Sequence, residues 1–180
     1  MSVRVGLLLA ISLVSSALTT AQAVTQPALK AAFLYNFAKF VEWPSDSSPS
    51  GPLRLCVLDD TAVEDALAQL ANGTAVNGRG VALMRGMRNR SLRGCHLVYV
   101  SDSDASRATA MLDEFKGAPI LTVGDGEQFT RTGGMIGLIV EDGRMRFSIN
   151  PEAAQRVGLR LSSKLLSLAK IVKDGRNGRS

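Results

Sequence analysis

GGMIGLIVEDGRMRFSIN, Gly133–Asn150, is the stretch whose reading decides the fold. Gly133-Gly134 leads into a strand over Met135–Glu141, and Asp142-Gly143 is a two-residue hairpin signal. Arg144–Ile149 then returns antiparallel. Successive strand residues point to opposite faces, so Met145, Phe147 and Ile149 share one side and Arg144, Arg146 and Ser148 the other. Asn150-Pro151 follows as an N-cap and a first-turn proline, which opens a helix. Gly158 interrupts that helix. A last helix is expected from Ser162, with Leu161 and Leu166 as a hydrophobic staple and Leu165, Leu168, Ala169 and Val172 as its buried stripe.

Upstream of the hairpin, strands and helices alternate. Leu53–Leu58, Val81–Met84, His96–Val100 and Pro119–Val123 read as buried strands. Thr61 and Glu64 form a capping-box pattern before an amphipathic helix carrying Val63, Ala66, Leu67 and Leu70, which Asn72-Gly73 ends. Ser101–Ser103 should start another helix, with Ala108, Met111, Leu112 and Phe115 inward and Gly117 as its stop. Glu127–Arg131 is one helical turn. This order predicts a three-layer α/β sandwich whose sheet is mostly parallel, with the C-terminal hairpin as an antiparallel edge.

The segment Pro27–Pro44, PALKAAFLYNFAKFVEWP, holds three of the six Phe, one of the two Tyr and the only Trp, so much of the aromatic packing must come from it. At helical period Leu29, Ala32, Phe33, Phe37, Phe40 and Val41 share a face. Thr25 is placed as N-cap, Pro27 suits the first turn, and Pro44 should stop the helix at Trp43. Asn36 lies within the stripe and reads as a buried amide satisfied by backbone groups. Leu34, Tyr35 and Trp43 lie off it and are candidates for contact with a partner; for Trp43, closure of the core competes with that role.

Met1–Ala23 has a short amino region with Arg4, an apolar run Val5–Val14 and Ala21-Gln22-Ala23 as a small-x-small site, which reads as a signal peptide cleaved near Ala23. The remaining 24–172 is long enough for one domain, and 173–180 is a basic, Gly- and Arg-rich tail read as flexible. The formal charge of +5 falls to +4 when Arg4 leaves. No basic run carries interleaved aromatics, so nucleic acid is not expected as a partner. Cys56 and Cys95 are 39 residues apart. In an oxidising compartment a disulfide is the natural use of such a pair; two buried thiols or a redox pair are the alternatives.

The chemistry-bearing residues do not assemble into a catalytic set. His96 is the single histidine and sits beside Cys95 in a strand, where the two point apart. There is no G-x-S-x-G elbow, no phosphate-binding glycine pattern and no zinc-like spacing, so neither enzyme, metal nor cofactor is expected. Gly124-Asp125-Gly126 reads as a turn with Asp125 as cap, and Asp59-Asp60 as a loop and cap. Arg144 and Arg146, with Arg156 and Arg160 from the following segment, could form an anion-binding patch or a solvated face. Trp43 and Arg160 are the residues named for a small ligand near the Gly158–Ser162 bend.

Taken together, LKAAFLYNFAKFVEWP (Leu29–Pro44), ILTVGD (Ile120–Asp125), Phe129, GGMIGLIVEDGRMRFSIN (Gly133–Asn150) and GLRLSSKLLSLAKIV (Gly158–Val172) resemble the YfiR family of small periplasmic proteins. The resemblance implies a bond between Cys56 and Cys95. A second, C-terminal cysteine pair of some relatives is missing here, which puts redox control through that bond in doubt. It further implies a regulatory protein that binds the periplasmic portion of an inner-membrane diguanylate cyclase and holds it inactive, with effects on cyclic di-GMP and biofilm. An outer-membrane lipoprotein as competitor and a homodimer are part of the same expectation. The alternative is a periplasmic small-molecule sensor serving a sensor kinase or transporter.

Overall fold

The structure is a computed structural model that describes residues 25–45, 51–87, 91–101 and 105–173, with the side chains of 105–107 left aside. The segment read as a signal peptide, and the basic tail beyond Lys173, lie outside the described residues. In chain order the elements are α1 (Gln26–Lys39), β1 (Val41–Glu42), β2 (Leu53–Leu58), α2 (Thr61–Ala71), β3 (Ala75–Val76), β4 (Arg79–Met84), β5 (Leu97–Val100) and α3 (Ala105–Glu114). There follow β6 (Leu121–Asp125), α4 (Gly126–Arg131), β7 (Ile136–Glu141), β8 (Arg144–Ile149), α5 (Pro151–Gln155), β9 (Arg160–Leu161), α6 (Ser163–Ser167) and β10 (Lys170–Ile171).

Eight strands form one sheet in the order β10-β8-β7-β6-β5-β2-β4-β3. Only the pairings β7–β8 and β3–β4 are antiparallel. The chain enters at β2 in the middle, steps outward to β4, and returns across β2 to lay down β5, β6 and β7. Alternation along the strands splits the core in two. Leu53, Leu55 and Val57 of β2, with Leu97 and Tyr99 of β5, face a layer built from α1, α2, α5 and α6. Cys56, Leu58, Val98 and Val100 face α3 through Met111 and Phe115. This is the expected mixed α/β sandwich.

Several local expectations change. α1 ends at Lys39 because Phe40 leaves helical geometry and its carbonyl accepts the Ser162 N–H at 2.9 Å. Val41–Glu42 then pairs with Leu161 and Arg160 as a separate two-stranded ribbon. The buried face of α1 is Ala31, Leu34, Phe37 and Ala38, rotated from the predicted stripe; Leu34 is fully buried and Asn36 is exposed. The rotation follows from covering α1 on two sides. α1 packs against α2, while Phe33 and Phe37 pack edge-on to Phe147 of β8, with centroids 5.9 and 5.1 Å away. The Thr25 cap is as expected, accepting from Ala28 N–H.

Asp60, not Thr61, caps α2, taking the Val63 N–H at 3.0 Å. Ala75–Arg79 is a hairpin not expected from the sequence; Asn77 and Gly78 both have positive φ, as a primed two-residue turn requires. The predicted C-terminal helix is only Ser163–Ser167. Beyond it, Val172 N–H donates to the Ile149 carbonyl at 2.8 Å and Lys170–Ile171 runs parallel to β8. Sheet hydrogen bonds therefore win over the helical stripe, and β10 lies outside the hairpin. Leu165 and Val172 stay buried, but Leu168 does not.

Phe129, Gly124 and Gly134 explain one another. A Cβ on either glycine would overlap the Phe129 ring, so the two glycines form the seat that buries it.

Candidate interaction surface

Cys56 on β2 and Cys95 just before β5 form a disulfide, with Cα atoms 6.1 Å apart, that ties two central parallel strands. His96 follows and turns to the other face. It is 4% exposed. Its Nδ1 faces the Arg54 N–H at 3.1 Å and its Nε2 faces the Arg79 guanidinium at 3.2 Å. A neutral imidazole accepts at one nitrogen only, and a protonated ring would set N–H against N–H at both. Burial first, then the Arg79 and Arg54 charges, lower its pKa to about 4. His96 is thus a buried neutral ring. Trp43 covers this corner: its indole N–H donates to the His96 carbonyl at 3.2 Å and its ring meets the imidazole edge-on.

Tyr35 is also half-buried. Its hydroxyl donates to the Ala75 carbonyl at 3.3 Å and its ring lies under the Lys39 ammonium. Arg144 and Arg146 are exposed on β8, and Arg146 lies 3.7 Å from Glu141. Arg160 is on the β1–β9 ribbon and pairs with Glu42 at 2.8 Å. The arginines do not converge: Arg146, Arg156 and Arg160 line three separate concavities. Trp43 and Arg160 share the α1–β9 end of the molecule, yet Trp43 is not in the hollow that Arg160 lines.

A polar cluster absent from the sequence reading lies at the carboxyl ends of β5 and β6. Lys30 Nζ donates to Tyr99 Oη at 2.8 Å and to Asp125 Oδ2 at 2.7 Å, and Tyr99 Oη donates to the same Asp125 oxygen at 2.9 Å. Asp125 occupies the N-cap position of α4 without a side-chain capping bond, so its carboxylate serves α1 instead. Burial and then the Asp125 carboxylate push the Tyr99 phenol well above its ordinary value. The phenol stays protonated and its proton is committed to Asp125. The one signal in the sequence was a tyrosine in an otherwise apolar strand, which needs a polar partner.

Exposed apolar side chains occur on the side of the sheet formed by β7, β8 and β10. Among the described residues the large exposed apolar side chains are Leu168 at 69%, Val140 at 53% and Ile171 at 52%. Leu168 ends α6, Ile171 is in the edge strand β10, and Val140 is in β7 next to the hairpin turn. β10 covers only Ser148 and Ile149 of β8. Among the described residues, no strand pairs with Arg144–Phe147 on that side of β8. A hollow of about 360 Å³ lies there, bounded by Arg146, Phe147, Leu168 and Lys170 among others. Lys170 reaches back to Glu127 at 2.5 Å, and with Arg131 it holds that carboxyl below the usual range.

A solved structure of a conserved domain protein from Vibrio cholerae has a similar fold, with a TM-score of 0.51 and 14% identity over 82% of this chain. The match spans 60% of that longer chain. A family model described as YfiR/HmsC-like matches residues 27–170. That range takes in nearly all of the aromatic helix, both cysteines, the glycine-seated Phe129 and the hairpin, and it ends at Lys170, the first residue of β10. The family is one of periplasmic regulatory proteins. With the model matching most of its length, this chain belongs to the YfiR/HmsC-like family.

Proposed function

We propose that this protein is exported by its first 23 residues and represses an inner-membrane diguanylate cyclase by binding the periplasmic portion of that enzyme. Repression then needs no chemistry. A protein that binds the inactive cyclase more tightly than the active one shifts the population toward the inactive state. The exposed sheet edge carries this reading. Leu168 stands in solvent beside Arg146 and Phe147, a stretch of β8 that no described strand pairs with on that side, and Ile171 is exposed on the edge strand β10. Open edges and exposed apolar side chains are features that folded proteins usually cover. An outer-membrane lipoprotein competing for the same edge would release the enzyme and raise cyclic di-GMP.

The test is affinity capture of the mature domain from solubilised inner membranes, with the captured cyclase assayed for turnover. Leu168→Glu and Ile171→Lys should abolish capture and raise cyclic di-GMP in cells while leaving the melting temperature unchanged. Capture that survives both substitutions would remove the edge from the proposal. Failure to capture any cyclase with the unaltered domain would remove the proposal itself.

A further inference from the structure

The backbone of β8 has two unlike sides. Asp142 and Gly143 turn the β7–β8 hairpin at φ +51° and +69°, a two-residue turn whose flanking residues, Glu141 and Arg144, exchange both backbone hydrogen bonds. Bonded and non-bonded pairs alternate along an antiparallel ladder. Arg144, Arg146 and Ser148 therefore turn N–H and C=O toward β7, while Met145, Phe147 and Ile149 turn theirs away from it. The Ile149 carbonyl fixes the parity, because it accepts the Val172 N–H at 2.8 Å from the far side.

β10 uses this outward row only from Ser148 onward. Ahead of it, no hydrogen bond among the described residues reaches the Met145 N–H or carbonyl. The hollow of about 360 Å³ bounded by Arg146, Phe147, Leu168 and Ala169 lies beside this part of β8. Val140, the cross-strand partner of Met145, shares its face and is 53% exposed, so an apolar pair at this edge stands partly in solvent.

Charge points to the chemistry of what covers the row. Ile136–Ile149 and Ser163–Lys173, the stretches that frame it, carry five Lys and Arg against two Asp and Glu. Glu127, the partner of Lys170, brings the acids to three and leaves a net charge of +2. A second copy of this chain would bring the same excess. Antiparallel pairing of two copies through Met145 would also set Arg146 opposite an arginine, Arg144 or Arg146, of the other copy, and like charges directly opposite are destabilising.

Resting on the function proposed above, we infer that an extended acidic segment of the cyclase's periplasmic portion adds here as a strand, pairing with β8 through the Met145 N–H and carbonyl in the row ahead of β10. Strand addition draws affinity from main-chain hydrogen bonds and specificity from alternate side chains. An apolar residue beside Met145 extends the Val140–Met145 pair, and its acidic neighbours lie on the other face, with Arg144 and Arg146.

The experiment reads hydrogen exchange at single amides of the mature protein, alone and in the complex captured from solubilised inner membranes. In the free protein the Met145 amide should exchange freely, whereas the Arg146 amide, which faces Ile139 in the ladder, should be protected. In the complex Met145 should slow at least about tenfold, with little change at Arg146. Met145→Pro removes the outward N–H and no bond to β7, so capture should fall at least about tenfold. The exchange measurement decides the matter even where that proline unfolds the hairpin. Arg144→Gln combined with Arg146→Gln should weaken capture about tenfold and reduce its salt dependence. Capture of the cyclase with Met145 still exchanging freely would overturn strand addition and leave the function in place. Failure to capture any cyclase would overturn both. Protection of Met145 that rises with protein concentration alone would give the row to a second copy, and capture indifferent to the arginine substitutions would overturn the acidic assignment.

Discussion

Oδ2 of Asp125 accepts both the Lys30 ammonium, at 2.7 Å, and the Tyr99 hydroxyl, at 2.9 Å. One carboxylate oxygen thus joins the first turns of α1 to the carboxyl ends of two central strands. Both charged side chains are mostly shielded from solvent, at 15% and 18% exposure. Removing the cation should leave the carboxylate poorly compensated. Lys30→Met is expected to cost about 1–3 kcal/mol in urea unfolding, and Tyr99→Phe about 1 kcal/mol. Losses that simply add in the double variant would show that the three groups do not act together.

His96 makes stability depend on pH. Its folded pKa is about 4, against 6.5 for the unfolded chain. Between these values the unfolded state binds more protons, so stability rises with pH. It is fully present above pH 6.5 and is lost progressively as pH falls toward 4, below which the loss is complete. Melting temperatures of the unaltered protein should drop across that window, whereas His96→Gln should flatten the profile. Parallel profiles for the two would contradict the buried neutral ring.

The disulfide closes a loop of 39 residues. A chain-entropy treatment gives about 3–4 kcal/mol for a loop of that length. Cys56→Ser should therefore lower the melting temperature under oxidising conditions and be nearly silent in the presence of reductant. Identical melting of both proteins in both conditions would mean that the bond does not form.

Gly134 should tolerate nothing larger. Gly134→Ala sets a methyl group into the Phe129 ring, and displacing that ring is expected to cost about 1–3 kcal/mol. Adding Phe129→Leu should recover part of the loss by making room. An alanine variant as stable as the parent would show that the ring can leave its seat freely.

Local signals carried the alternating plan well. The strands Leu53–Leu58 and Leu97–Val100, the Asp142-Gly143 hairpin and the Asn150 and Ser162 caps all rest on short-range chemistry, and the structure has them. What the sequence hid was long-range. Leu165, Leu168, Ala169 and Val172 keep helical spacing, but the open Ile149 carbonyl, 23 residues away, claims the Val172 N–H for the sheet. α1 is apolar around most of its girth, so periodicity could not say which side faces inward. Its true face, with Leu34 at the centre, depends on Phe147 and on the strands it covers. Lys30 and Asp125 stand 95 residues apart, and no spacing rule joins them. Asn77-Gly78 is a turn signal, but the strand before it, Ala75–Val76, is too short to show alternation.

The ribbon in which Val41 meets Leu161 ties the first described helix to a strand that follows 120 residues later. Loop closure of that span is slow, and the partners of α1 on β6 and β8 are also made late. Phe33, Phe37 and Trp43 must therefore wait, uncovered, while nearly the whole polypeptide is delivered. During that interval the uncovered aromatic side chains are open to non-native contacts, and holding chaperones should protect the chain from them. Its yield in the cell should respond to their supply more strongly than its final stability would suggest.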